Sequence, residues 1–120
     1  MIGVDIENIS RFKDKERAFY ERVFTQSEIE YCESKRNPAP HYAARFCAKE
    51  AVFKALASAV VGDILITQIE VYNDKNGCPR IRLLNSDIKY KVHISLSHDK
   101  EKAIAFAMLS HEVSRENNNV

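Results

Sequence analysis

Four charged residues stand where a buried helix should have none. From Tyr42 to Val61 fifteen of twenty residues are apolar. A helix apolar nearly all round is expected to be buried. Arg45, Lys49, Glu50 and Lys54 interrupt it. With Arg45 set at zero on a helical wheel, Lys49 falls at roughly 40°, Glu50 at roughly 140° and Lys54 at roughly 180°. Such charges must pair, reach solvent or face a ligand, because an unpaired buried charge costs several kcal/mol. Glu50 and Lys54, at i,i+4 spacing, can pair with each other. Arg45 and Lys49 repel at the same spacing, which points to an anion near them, with phosphate the usual candidate.

A second lone carboxylate interrupts Ile2-Gly3-Val4-Asp5-Ile6, which otherwise reads as a buried strand. Gly3 lets another backbone or a ligand come close. A buried Asp5 needs a partner or a metal. Beside Glu50 it would form a carboxylate pair that repels itself without a cation, and hard oxygen ligands suit Mg²⁺. The spacing alone does not bring the two together, and Asp5 as a cap of the next helix is the alternative. His98 follows a strand and is either an exposed turn residue or a phosphate ligand. His93 alternates onto a polar face, and His41 and His111 read as surface residues.

These residues need elements to hold them. The sequence predicts a strand over residues 1–6, then a charged helix from Ser10 to Glu21 with loosely spaced Phe12, Phe19 and Val23. Thr25-Gln26-Ser27-Glu28 is a capping box that opens a short helix from Gln26 to about Ser34. Pro38 and Pro40 lie in a loop that launches the long helix, predicted from His41 to Val61 and ended by Gly62-Asp63. A strand over 68–73 follows, with Ile69 and Val71 on one face. Asn76-Gly77 signals a hairpin turn into a strand over 79–84. Val92, Ile94 and Leu96 alternate with His93, Ser95 and Ser97. Ala103 to Leu109 reads as a central strand buried on both faces. The class is α+β: a small single domain with a short N-terminal strand, helices including one long buried helix, and antiparallel hairpins.

The 120 residues fit one core, taken as residues 1–111, with a polar tail from Glu112 to Val120 expected to fray. A net charge of +1 argues against a nucleic-acid binder. Arg11, Lys13, Lys15, Arg17 and Arg22 still crowd the first segment, as a basic patch for an acidic partner or as a solvated helix face. Cys32, Cys47 and Cys78 match no zinc spacing and read as free thiols, with Cys47 in the core. No signal peptide is expected, because Asp5 and Glu7 interrupt the one candidate stretch, and no membrane span, because of the charges in the long helix. The cytoplasm is the default.

Five short motifs, in order, resemble one known family. Gly3-Val4-Asp5 is similar to the G-x-D of holo-acyl-carrier-protein synthases, the short form of the 4′-phosphopantetheinyl transferases. Phe46-Cys47-Ala48-Lys49-Glu50-Ala51, followed by Lys54, resembles their F-x-x-K-E-A-x-x-K. The stretch from Arg22 to Glu28 resembles the one before their second short helix, Asn76-Gly77-Cys78-Pro79 their N-G-x-P hairpin, and Ser95-Leu96-Ser97-His98 their terminal S-x-[ST]-H. The resemblance spans roughly residues 1 to 109. This chain begins unusually close to its G-x-D, so its first strand is short.

The resemblance implies the 4′-phosphopantetheinyl transferase fold and a Mg²⁺-dependent transfer of phosphopantetheine from coenzyme A to a serine of apo-acyl carrier protein, releasing 3′,5′-ADP, as in fatty-acid biosynthesis. It implies Asp5 and Glu50 as metal ligands and, with Lys54, as the catalytic group. Glu50, directly or through a bound water, or Asp5, would be the base. Coenzyme A would meet Arg45, Lys54, Asn76, Gly77, Pro79, Ser97 and His98. An acidic carrier would dock on Arg11, Arg17, Phe19 and Arg22. The family implies a homotrimer with sites between subunits. Two competing functions use the same residues: a Mg²⁺-dependent nucleotide or pyrophosphate hydrolase, and a non-enzymatic coenzyme A-binding module with a basic face.

Overall fold

The computed structural model describes residues 1–59, 62–85 and 87–111. Tail residues 112–120, and residues 60 and 61 at the predicted end of the long helix, lie outside the described residues. The chain order is β1 (Ile2–Asn8), α1 (Arg17–Glu21), α2 (Gln26–Glu33), α3 (Pro38–Ser58), β2 (Ile69–Asn73), β3 (Pro79–Leu83), β4 (Tyr90–His98) and β5 (Lys102–His111). β1, β5 and β4 form one antiparallel sheet with β5 in the middle, and β2 and β3 form a separate hairpin. The α+β class and both hairpins are as the sequence predicts.

α3 lies across one face of the three-stranded sheet, and small side chains set how close it comes. Ala48, Ala51 and Ala55 of the helix and Ala103 and Ala107 of β5 are all fully buried. Gly3 is the tightest point. A Cβ there would stand 2.0 Å from the Ala51 carbonyl oxygen and 2.8 Å from the Ala55 nitrogen. Both are helix backbone and cannot rotate away. Gly3→Ala is therefore expected to cost at least about 2 kcal/mol through forced separation of strand and helix. An unchanged urea midpoint would mean that β1 does not seat on α3 in this way.

Three boundaries differ from expectation, each for a physical reason. The charged helix over 10–21 is broken: a 3₁₀ turn covers Ile9–Phe12, Asp14 takes a positive φ of 52°, and only Arg17–Glu21 is α-helical. Phe12 and Phe19 stand at i,i+7, which one helix could place on one face, but Tyr20 and Phe24 would then lie off that face, and the break lets Phe12, Tyr20 and Phe24 converge with Tyr42 and Phe46 in one aromatic cluster. The Tyr20 hydroxyl closes the loop by donating to the Phe12 carbonyl at 2.8 Å. The long helix starts earlier than predicted, with Pro38 and Pro40 inside its first turn. Proline is tolerated there because the first four helical N–H groups have no intrahelical acceptor. The capping box on α2 forms as expected.

The third difference concerns β5. It is central, but only one of its faces is covered. Ala103, Ala105, Ala107 and Leu109 face α3, while Ile104, Phe106 and Met108 face outward. Their cross-strand partners on β1 are Ile6, Val4 and Ile2. These six side chains, 42–60% exposed, make a continuous apolar sheet face on this single chain.

Candidate active site

Period-2 alternation along β1 sends Gly3, Asp5 and Glu7 toward α3 and Ile2, Val4 and Ile6 away from it. The inward row meets the charged stripe of α3. Lys54 Nζ donates to Asp5 Oδ1 and to the Val4 carbonyl, both at 3.1 Å. The anticipated Glu50–Lys54 pair is thus replaced by one between Lys54 and β1. Asp5 Oδ2 is buried with no hydrogen-bond partner. Burial and the Asp5 charge raise the pKa of Glu50 above the usual carboxylate value. Glu7 is raised further, to about 7, by burial and by the Asp5 carboxyl, with Arg11 opposing at 2.8 Å. Three carboxyl groups and one lysine therefore share this edge of the helix–sheet interface. Glu7 was missing from the sequence-derived set, although its i+2 position from Asp5 on a strand was the signal for it.

An uncompensated buried oxygen beside two carboxyls with raised pKa is a cluster that a hard cation would relieve. Among the described residues no three His, Cys, Asp or Glu side chains converge into a complete cage. Cys47 lies beneath, fully buried, its thiol donating to the Asp5 and Ala103 carbonyls and its pKa pushed up to about 12, first by burial.

The two remaining cations of α3 have separate fates. Lys49 is no phosphate ligand: its ammonium is fully buried, 2.6 Å from Glu28 of α2. The anion that the spacing with Arg45 called for is, for Lys49, part of the fold. Arg45 stacks 3.8 Å over the Tyr31 ring and donates to Asn73 Oδ1 at 2.7 Å. Asn73 in turn donates to the Gly77 carbonyl, which ties Arg45 to the β2–β3 turn. In that turn Asp74 accepts from the Asn76 and Cys78 amides, and Gly77 takes a φ of 84° that favours glycine. Asn76 and Gly77 are exposed, and Pro79 opens β3.

The β4–β5 register sets Glu7, Ala103 and His98 in one row across the sheet. His98 therefore points to the α3 side, whereas Ser97, paired with Ile104, points to the open apolar face. Both border a 250 Å³ hollow with Ile6, Asp99, Lys102 and Ala103. A larger hollow of 540 Å³ lies at the opposite end of β4 and β5, lined by Asp63, Asp87, Lys89, Tyr90 and His111, away from the carboxylates. Of the residues expected to dock a carrier, Arg11, Arg17 and Arg22 are exposed and Phe19 is half-buried against Phe12. Arg11 reaches from this surface to Glu7, and its guanidinium lies 4.9 Å from the centre of the Phe46 ring.

The chain belongs to the 4′-phosphopantetheinyl transferase superfamily, whose family model matches residues 1–107. Within it, this chain is similar to proteins named holo-[acyl-carrier-protein] synthase. It is 41% identical over 112 residues to the one from Chlorobaculum parvum, covering 90% of this chain and 96% of the relative. It is 42% identical over 121 residues to the one from Cytophaga hutchinsonii, covering 91% and 95%. Among solved structures, the holo-(acyl-carrier-protein) synthase from Bacillus anthracis in complex with CoA (3′,5′-ADP) superimposes with a TM-score of 0.78 at 32% identity, covering 92% of this chain and 96% of that one. The Helicobacter pylori holo-[acyl-carrier-protein] synthase in complex with coenzyme A gives 0.78 at 30% identity, covering 92% and 100%.

Proposed function

We propose that this chain transfers 4′-phosphopantetheine from coenzyme A to a serine hydroxyl of apo-acyl carrier protein, releasing 3′,5′-ADP, with Mg²⁺. The observation that carries the chemistry is the partnerless, buried Asp5 Oδ2 beside the raised carboxyl of Glu50 and the ammonium of Lys54. Relatives named for this activity at about 40% identity support the substrate pair.

Asp5 and Glu50 are the residues that would hold Mg²⁺, which when bound supplies Lewis-acid stabilisation of charge on the pyrophosphate oxygens. Lys54 offsets charge growing on the leaving phosphate. Glu50 accepts the serine proton, because a carboxyl raised above the usual carboxylate value by burial and the Asp5 charge is the stronger base. Arg45 and His98 hold the adenosine-side phosphates, and the turn from Asn76 to Pro79 lies against the nucleotide through its backbone. Ser97 borders the same hollow as His98 and meets the ligand there. A homotrimer with sites between subunits is supported by the exposed apolar face of β1 and β5, since a patch of this kind marks an interaction surface. A solution mass of one chain would overturn the assembly.

The carrier docks on Arg11, Arg17, Arg22 and the exposed edge of Phe19. Arg11→Glu is expected to raise KM for the carrier at least about tenfold with little change in KM for coenzyme A. An unchanged carrier KM removes Arg11 from the docking surface. We place the protein in the cytoplasm and in fatty-acid synthesis, a setting that suits its free thiols. No helix among the described residues is long and apolar enough to cross a membrane.

The direct test is mass spectrometry of apo-acyl carrier protein after incubation with this chain, coenzyme A and Mg²⁺, beside an EDTA control. A metal-dependent gain of about 340 Da is expected. Release of 3′,5′-ADP without carrier would instead make the chain a hydrolase.

A further inference from the structure

Two of the exposed arginines on the basic surface meet a glutamate, and only one of those glutamates is anchored in the fold. Arg11 and Arg17 each have a carboxylate at 2.8 Å and i,i+4 spacing. The Glu21 side chain that meets Arg17 is 56% exposed, and a pair exposed at both ends does little to fix either partner. The Glu7 side chain that meets Arg11 is 14% exposed and stands on β1.

The spacing of four is not helical at Arg11. It runs from β1 into the 3₁₀ turn Ile9–Phe12, in which Ile9 and Phe12 are buried and the Ile9 amide donates to the Glu101 carbonyl at 2.8 Å. Arg11 is thus carried on a fixed turn. Its guanidinium carbon lies 4.9 Å from the centre of the Phe46 ring and 5.6 Å from that of Phe12, both rings of the core. A side chain that is 51% exposed therefore rests on two core rings with a carboxylate beside it. Among the described residues the guanidinium makes that one hydrogen bond, through Nη1, so its other N–H groups are open to a second carboxylate.

Glu7 itself needs a reason. It occupies an inward position of β1, opposite Ala103 of β5, where an apolar side chain would be the ordinary occupant. A carboxylate there adds repulsion with Asp5, and Arg11 is the cation that opposes it.

We propose that Glu7 is a positioning residue for carrier recognition: it holds the Arg11 guanidinium against Phe46 and Phe12 and leaves its remaining N–H groups to a carboxylate of the acidic carrier. The inference rests on the transferase reading above, and Glu7 acts through Arg11 rather than on a substrate. A long side chain that must be ordered on binding costs affinity, and one already ordered costs less, which for a single arginine is roughly three- to tenfold. The hydrogen bond does the holding. Glutamine keeps an acceptor oxygen at this place and alanine does not.

Steady-state modification of apo-acyl carrier protein by the whole chain, with coenzyme A and Mg²⁺, separates KM for the carrier from KM for coenzyme A. Glu7→Ala is expected to raise the carrier KM roughly three- to tenfold without moving that for coenzyme A, and Glu7→Gln to stay within about twofold of wild type. In an Arg11→Ala background, Glu7→Ala is expected to add no further loss. An alanine variant with an unchanged carrier KM overturns the proposal, and so does a lowered one, which would mean that Glu7 competes with the carrier for Arg11. A glutamine variant as weak as alanine overturns it too, as does an equal loss in the Arg11→Ala background, which would place the effect in the carboxyl cluster. All of these leave the transferase reading intact, whereas a wild type that does not modify the carrier sinks that reading itself. The tether is also read without turnover or substitution, by NMR relaxation of the arginine Nε–H groups in wild type. Arg11 must be more ordered than Arg22, which makes no ion pair among the described residues, and equal mobility overturns the assignment.

Discussion

Glu50→Gln is expected to slow carrier modification by about a thousandfold while leaving a folded protein. Glutamine keeps the shape but can neither accept the serine proton nor offer a charged oxygen to a cation. The same substitution has an opposite effect on the unliganded fold. Burial and Asp5 raise the Glu50 pKa, so the folded state favours the neutral acid. Glu7 is raised in the same way, to about 7. A group whose folded pKa exceeds its unfolded value binds more protons when folded, and stability then falls as pH rises from the ordinary carboxylate range through the raised pKa. Without metal, wild type should therefore melt lower at pH 8 than at pH 6 through this cluster, and Glu50→Gln should reduce that dependence. Adding Mg²⁺ at pH 8 should raise the wild-type melting temperature and leave the variant nearly unmoved. The combination separates a chemical role from damage: an inactive variant that is as stable as wild type, yet blind to Mg²⁺. Near-normal turnover, or a wild-type melt indifferent to Mg²⁺ at pH 8, would remove Glu50 from the reaction.

The charged stripe in an apolar helix was legible because burial makes each charge demand a reason. What the sequence could not state was the reason in each case. Lys54 crosses to β1 instead of pairing one turn back, because α3 packs close enough on Gly3 to bring Asp5 within 3.1 Å. That proximity depends on residues about fifty positions apart. Glu7 was readable from strand alternation once β1 extended to Asn8, but a strand ended at Ile6 hides it. The broken first helix was suggested by its loose apolar spacing, and its cause is tertiary: aromatic rings from three elements meet there. The open face of β5 was misread because an apolar run looks the same whether its second face meets the chain's own core or another surface.

Lys49 carries the largest expected effect on stability. Its ammonium and the Glu28 carboxylate are both fully shielded from solvent, 2.6 Å apart. Glu28 is otherwise well served: one oxygen accepts from the Thr25 amide, the other from the Val71 amide at 2.7 Å. One side chain thus joins the start of α2, the middle of α3 and β2. Burial pulls the Lys49 pKa down and Glu28 opposes it, as for a cation tolerated in the interior only through its partner. Lys49→Met fills the space but strands the carboxylate, and breaking a buried pair on one side costs about 3–5 kcal/mol. For a chain of this size that is a fall in melting temperature of at least about 10 °C. Adding Glu28→Gln should return much of the loss, because the neutral amide oxygen still accepts a backbone bond and no charge remains buried. The pair also decides between two roles for Lys49. If its work is structural, Lys49→Met lowers stability and leaves KM for coenzyme A unchanged in the surviving folded fraction. If the cation instead faced substrate phosphate, KM would rise while stability held, and the double variant would recover nothing. Full burial on both sides of the contact favours the first outcome.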